Sequence, residues 1–205
     1  MFRPPASFRI AVLAAAFLIL TVPATACAQH PAHAGTHAPA PVTIPAGASY
    51  TVADVEFMQG MIAHHAQAIH MSRMAEARRA DPRLLRLAEK IGQSQVAEIR
   101  IMQDWLVRNG QAAPDTSSWR TMQMAGMLTP AQLDSLGAAT GPAFDHAYLT
   151  MMIQHHEGAL AMVDALFAAP GAGQDVDVNV FANDVVAVQT AEIGAMRRML
   201  TELSD

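Results

Sequence analysis

The chain has 205 residues, with 13 basic against 18 acidic groups and a formal charge of −5. Aromatic residues are scarce at 5% and no run of Lys or Arg occurs, which excludes nucleic acid as a partner, because phosphate contacts need clustered cations. The surplus lies in 14 methionines and 9 histidines.

In chain order, residues 1–28 read as a signal peptide. Arg3 and Arg9 supply a positive start, and Ile10 to Val22 is apolar apart from Thr21. Ala24-Thr25-Ala26 and Ala26-Cys27-Ala28 each offer a small-x-small cleavage site. The apolar core is shorter than the ~20 residues of a membrane-spanning helix, and no later stretch predicts a span. The expected location is therefore periplasmic or secreted. Cys27 is the single cysteine. Cleavage after Ala28 removes it and with it any disulfide; cleavage after Ala26 leaves it first in the mature chain, where it would carry a lipid anchor.

Residues 29–48 are rich in Ala, Pro and His, without apolar periodicity. Pro31, Pro39, Pro41 and Pro45 discourage a helix and predict a disordered linker. His30, His33 and His37 lie here, either as part of a spacer or as a metal-capturing arm.

Residues 50–203 predict a helical domain. Thr51 with Asp54 is a capping-box variant that opens a first helix running to about Arg79. Asp81-Pro82 reads as an N-cap and first helical residue. The second helix repeats apolar residues from Leu84 to Leu106 at helical period and stops at Asn109-Gly110. A connector over 111–139 contains a short helix opened by the Thr129–Gln132 capping box. Gly141-Pro142 starts a third long helix that ends before Pro170-Gly171. A polar turn over Asp175 to Asn179 then precedes a fourth helix from about Val180 to Leu203.

A repeat organises these elements. Asp54, Phe57, Met61, Ile62, His64, His65 and Met71 recur ninety-one positions later as Asp145, Tyr148, Met152, Ile153, His155, His156 and Met162. Gln95-Val96-Ala97-Glu98-Ile99 likewise recurs as Gln189-Thr190-Ala191-Glu192-Ile193. The duplication covers a helix pair, residues 51–109 and 141–203. Two helical hairpins without a strand signal imply an all-α, four-helix bundle with pseudo-twofold symmetry.

At about 100° per residue, Asp54, Met58, Met61 and His65 share one stripe of the first helix, as do Asp145, Met152 and His156 in the third. Met61 and His65 are four apart, as are Met152 and His156, so each pair can converge. Methionine alone is readily explained as core filling. Four buried imidazoles are harder to explain that way, since each polar nitrogen needs a partner. The expected metal ligands are His64, His65, His155 and His156, with Met61 and Met152 as soft ligands and Asp54 and Asp145 as auxiliary groups. A di-iron bundle needs Glu-x-x-His pairs, and no glutamate here has a histidine three positions on. Glu98 and Glu192 are the only symmetric glutamates. Thioether with imidazole instead suits copper, Cu(I) above all, while zinc would leave the methionines without a role. No nucleophile constellation or phosphate loop stands out.

The motif Asp-x-x-Phe-x-x-x-Met-x-x-His-His-x-x-Ala-x-x-Met matches Asp54, Phe57, Met61, His64, His65, Ala68 and Met71. It matches again at Asp145, Met152, His155, His156, Ala159 and Met162, with Tyr148 in the phenylalanine position. At these residues the chain resembles a family of secreted bacterial proteins catalogued as a domain of unknown function, within the ferritin superfamily. The resemblance spans about residues 50 to 203 and implies a ferritin-like bundle and a secreted location. Some similar periplasmic proteins are associated with copper binding and tolerance. The expected function is copper binding, buffering or handover rather than catalysis. The alternatives are a ferritin-like di-metal oxidoreductase and a metal-free envelope interaction module. Sequence leaves open homodimerisation, the protein that donates or accepts the metal, and whether the repeats share one site.

Overall fold

The computed structural model describes residues 42–204. The signal peptide, Cys27, and the linker histidines His30, His33 and His37 lie outside the described residues. Six α-helices follow: α1 Val52–Ser72, α2 Met74–Ala77, α3 Pro82–Arg108, α4 Pro130–Ala138, α5 Pro142–Ala168 and α6 Val176–Ser204. A single 3-10 turn, Ser118–Arg120, interrupts the connector, and no strand occurs among the described residues. Helix α1 packs on α3 and α5 on α6, and the two hairpins meet where α1 lies against α5. The fold is an all-α, four-helix bundle of ferritin-like type, made of two similar hairpins.

Local chemistry fixes most helix starts. The Thr51 backbone N–H donates to Asp54 Oδ2 at 2.7 Å, which closes the first capping box. Asp81 Oδ1 accepts from the Arg83 backbone N–H at 2.7 Å, with Pro82 beside it at the first helical position. Thr129 and Gln132 form the second capping box.

Three boundaries differ from expectation. The first long helix ends at Ser72 rather than near Arg79, and α2 continues it as a separate turn. The reason lies just beyond: Arg79 has a left-handed φ of 58°, and the Arg78 carbonyl accepts from the Gly141 backbone N–H at 2.8 Å, which ties this corner to the start of α5. The polar stretch from Asp175 is the opening turn of α6, because Asp175 Oδ1 accepts from the Val178 backbone N–H at 3.3 Å. Finally, the linker expected over residues 29–48 does not extend to residue 48. Val42, Ile44 and Ala48 pack against the core, and Gln111 Nε2 donates to the Thr43 carbonyl at 3.0 Å.

The core comes in two apolar halves. One gathers Val55, Met58, Met61 and Ile62 of α1 with Ile99, Met102 and Trp105 of α3, and Val163, Phe181 and Val185 of the second hairpin. The other gathers Phe144, Tyr148, Leu149 and Met152 of α5 with Met71, Leu84, Ile91, Ile193 and Met196. Met61 thus lies in one half and its repeat partner Met152 in the other. Both are fully buried.

Candidate metal centre

Between the two apolar halves lies a polar layer. His64, His65, His155 and His156 are completely buried; along α1 the first two fall between Met61 of one half and Met71 of the other, and along α5 the last two fall between Met152 and Val163. His64 of α1 and His155 of α5 face each other with ring centroids 3.8 Å apart and a tilt of 39°. His65 and His156 point outward from this central pair, each with its ring centroid 6.3 Å from the ring of its sequence neighbour. The doublet puts one imidazole on the α1–α5 contact and turns the next by about 100°, toward the supporting helix of the same hairpin.

There each outer histidine meets a glutamate. His65 Nε2 lies 2.6 Å from Glu98 Oε2 on α3, and His156 Nε2 lies 2.9 Å from Glu192 Oε2 on α6. Against a carboxylate, Nε2–H donates. His64 Nε2 is 3.1 Å from the Ala125 carbonyl and donates to it in the same way. In these three imidazoles Nε2 is thereby fixed as the N–H donor, and the neutral form of each ring carries its lone pair on Nδ1. Nδ1 of His64, His65, His155 and His156 has no hydrogen-bond partner among the described residues, and neither does His155 Nε2. Orphaned atoms continue one helical turn away, at Gln95 Oε1 and at both amide atoms of Gln189, and include Glu192 Oε1.

Burial also keeps the central rings neutral. Desolvation, reinforced by the neighbouring His65 and His156, lowers the His64 pKa to about 3. Desolvation and the surrounding His64, His156 and His65 hold His155 well below the ordinary histidine range. An imidazole that does not protonate keeps its lone pair for a metal down to acid pH. Nitrogen held on one side by a carboxylate or carbonyl, with the other nitrogen free, is the arrangement of metal-ligating histidines and their supporting acceptors. The residues present therefore fit a metal. Among the described residues no cluster of three or more His, Cys, Asp or Glu side chains forms a ready-made metal cage. Met61 and Met152 each lie one helical turn before an outer histidine.

Asp54 and Asp145 do not join the layer, and this corrects their expected role beside the metal. They share a helical stripe with His65 and His156, but eleven residues at a rise of about 1.5 Å place them about 16 Å away along the axis. Their carboxylates are also engaged. Asp54 Oδ1 accepts from the Gly173 backbone N–H at 2.7 Å, while Oδ2 closes the capping box. The Asp145 oxygens accept from the Asp81 backbone N–H at 3.1 and 3.2 Å. Each aspartate thus pins the helix-to-helix turn of the opposite hairpin.

From the sequence alone, Glu98 and Glu192 are symmetric glutamates without a role. Gln95 and Gln189 served only to establish the repeat. All four belong to the layer or its edge. Their signal was present: polar residues three apart, at matching places on the two supporting helices. The connector also takes part. Gln67 clasps Leu128 through both backbone groups, at 2.7 and 3.0 Å. Gly126 lies against Gly158 so closely that a side-chain carbon on Gly158 would collide with the Ala125 carbonyl and the Gly126 Cα. This contact seats the carbonyl that His64 holds.

Solved structures share this architecture. A secreted-protein candidate from Streptomyces coelicolor is 30% identical over 74% of this chain and 94% of its own, with a TM-score of 0.64. A fragment from Deinococcus radiodurans is 31% identical over 75% of this chain and 98% of its own, also with a TM-score of 0.64. CopM in its Cu(I)-bound form is 27% identical over 73% of this chain and 96% of its own, with a TM-score of 0.58; CopM is also known in Cu(II)- and silver-bound forms. No curated protein sequence matches the chain. The family model described as "Domain of unknown function (DUF305)" matches residues 54–200, which carry both His-His motifs, both hairpins and the connector. The chain belongs to the DUF305 family.

Proposed function

We propose that this protein is an exported copper-binding protein that holds the metal within its histidine layer, for buffering or handover in the periplasm rather than for catalysis. The observation that carries the reading is the set of four buried Nδ1 atoms without partners, three of them on rings whose Nε2–H is tied to Glu98, Glu192 or the Ala125 carbonyl. Leaving so many buried acceptors unsatisfied costs about 1–3 kcal/mol each, so the layer calls for an electrophile. His64, His65, His155 and His156 are the nitrogen ligands, and Met61 and Met152 the soft sulfur ligands. Imidazole with thioether and without thiolate favours copper over zinc or iron. The likeness to CopM, known with Cu(I), Cu(II) and silver, supports the same metal. Export rests on the leader sequence and on the likeness to a secreted-protein candidate; among the described residues no helix is long and apolar enough to cross a membrane.

The test is competition for Cu(I) against a chromophoric chelator. The wild type is expected to withdraw the metal, and a variant with all four histidines changed to alanine to leave it with the chelator. Equal affinity in the two proteins would sink the proposal.

A further inference from the structure

The connector carries three methionines in six residues, Met122, Met124 and Met127, where surface turns ordinarily hold Gly, Pro, Asn, Asp or Ser. Met127 is buried, but Met122 and Met124 are only half-buried. The Met124 side chain reaches α1 at Gly60. A side-chain carbon on Gly60 would sit 3.0 Å from Met124 Sδ and 3.5 Å from Met162 Cε. The Met124 sulfur and the terminal methyl of Met162 therefore end at the same spot, which exists because residue 60 has no side chain. Met127 Sδ is also nearby, accepting from the Met124 backbone N–H at 3.3 Å.

Core filling is the ordinary explanation for methionine, and the repeat provides an internal control for it. Met71 and Met162 occupy the same motif position. Met71 is fully buried in an apolar half; Met162 stays half-buried, at the edge of the other half. Gly60 corresponds to Met151 in the second copy, so the notch that admits Met124 exists on one side of the bundle only. The spot is one helical turn from His64 on α1 and two turns from His155 on α5, and the residue after Met124 supplies the carbonyl that His64 holds.

We propose that Met124 and Met162 form a second, solvent-facing thioether site for a soft monovalent cation, Cu(I) or Ag(I), at the Gly60 notch. Thioether sulfur selects a soft cation over zinc, magnesium or calcium. The site stands independently of the histidine layer, with Met127 as the nearest third sulfur. Its position beside the Ala125 carbonyl makes it a point of arrival or departure for metal exchanged with the layer.

The experiment uses the full mature chain with 13C-labelled methionine methyls and Ag(I) alone as a redox-inert probe. Addition of Ag(I) should shift the Met124 and Met162 methyl resonances together. The M124L/M162L variant should bind one Ag(I) fewer per chain, as leucine keeps the volume and removes the sulfur. If M162L disturbs α5, M124L alone should still lose the Met162 response, since it alters only the connector. Persistence of the paired shift in the four-histidine variant would uphold this site even where the copper reading of the layer fails. Unmoved Met124 and Met162 resonances at saturating Ag(I), or an unchanged stoichiometry in M124L/M162L, would overturn it.

Discussion

At the scale of single residues, the carboxylates behind the outer histidines matter as much as the rings themselves. Glu98 and Glu192 fix the tautomer that frees Nδ1, and loss of such a supporting acceptor typically costs 10–100-fold in metal affinity. Glu98→Gln and Glu192→Gln should each weaken Cu(I) competition within that range while the helical circular dichroism stays unchanged; unaltered affinity would remove the carboxylates from the site. The central rings make a separate prediction about pH. An unfolded histidine takes up a proton near pH 6.5, whereas folded His64 does so only near about 3, and His155 is likewise depressed. Between those values the unfolded state binds more protons, so stability rises with pH across this window and is fully present above it. For His64 alone, the loss at pH 5 is about 2 kcal/mol relative to neutral pH, from about 1.4 kcal/mol per pH unit. The urea midpoint of the metal-free protein should therefore fall between pH 7.5 and 5.0, and a flat midpoint would mean that protons reach these rings in the folded state.

At the scale of elements, the two hairpins are joined by reciprocal contacts that sequence periodicity alone does not reveal. Asp54 holds the turn at Gly173, and Asp145 holds the turn at Asp81. The angular stripe places these carboxylates with His65 and His156 only because a helical wheel discards distance along the axis. Asp54→Asn should lower stability by about 1–3 kcal/mol, through loss of charge-assisted bonds to buried N–H groups, and leave Cu(I) affinity untouched. In a bundle of this size that is a fall of about 2–4 °C in melting temperature per kcal/mol. A fall in copper affinity without a fall in melting temperature would restore Asp54 to the metal. Gly158→Ala tests the connector: the added methyl meets the Ala125 backbone, and about 1–3 kcal/mol of overpacking should appear as a lower melting temperature. What was legible in the sequence follows the same division. Capping boxes at Thr51 and Thr129, Asp81 before Pro82, and the duplicated His-His motif are local signals that single segments carry. The pairing of His65 with Glu98 depends on the register between two helices. The early start of α6 at Val176 depends on a cap at Asp175 whose other oxygen accepts from Ser49 across the chain. Neither can be read from one segment.

At the scale of the molecule, the bundle is two apolar cores separated by a slab of imidazoles, amides and carboxylates. Each half buries its own helix ends, whereas the layer between them unites buried polar atoms that lack partners. Such a layer is the least stabilising part of the metal-free fold, since dispersion and hydrophobic burial fall away there and desolvation is left uncompensated. On the proposed function, a metal held by these rings would tie α1 to α5 across that section. Binding restricted to the native state stabilises by RT ln(1 + [L]/Kd), which is about 2.7 kcal/mol at a free metal concentration 100 times Kd. For a domain of this length, that corresponds to a rise in melting temperature of about 5–10 °C. Cu(I) added under reducing, anaerobic conditions should produce this rise, a strong Cu(I) chelator should reverse it, and the four-histidine variant should show neither effect. The double variant M124L/M162L should keep most of the rise, because its thioethers lie at the edge of one half and do not bridge the two. A melting temperature indifferent to copper in the wild type would leave the histidine layer as a purely structural feature of the bundle.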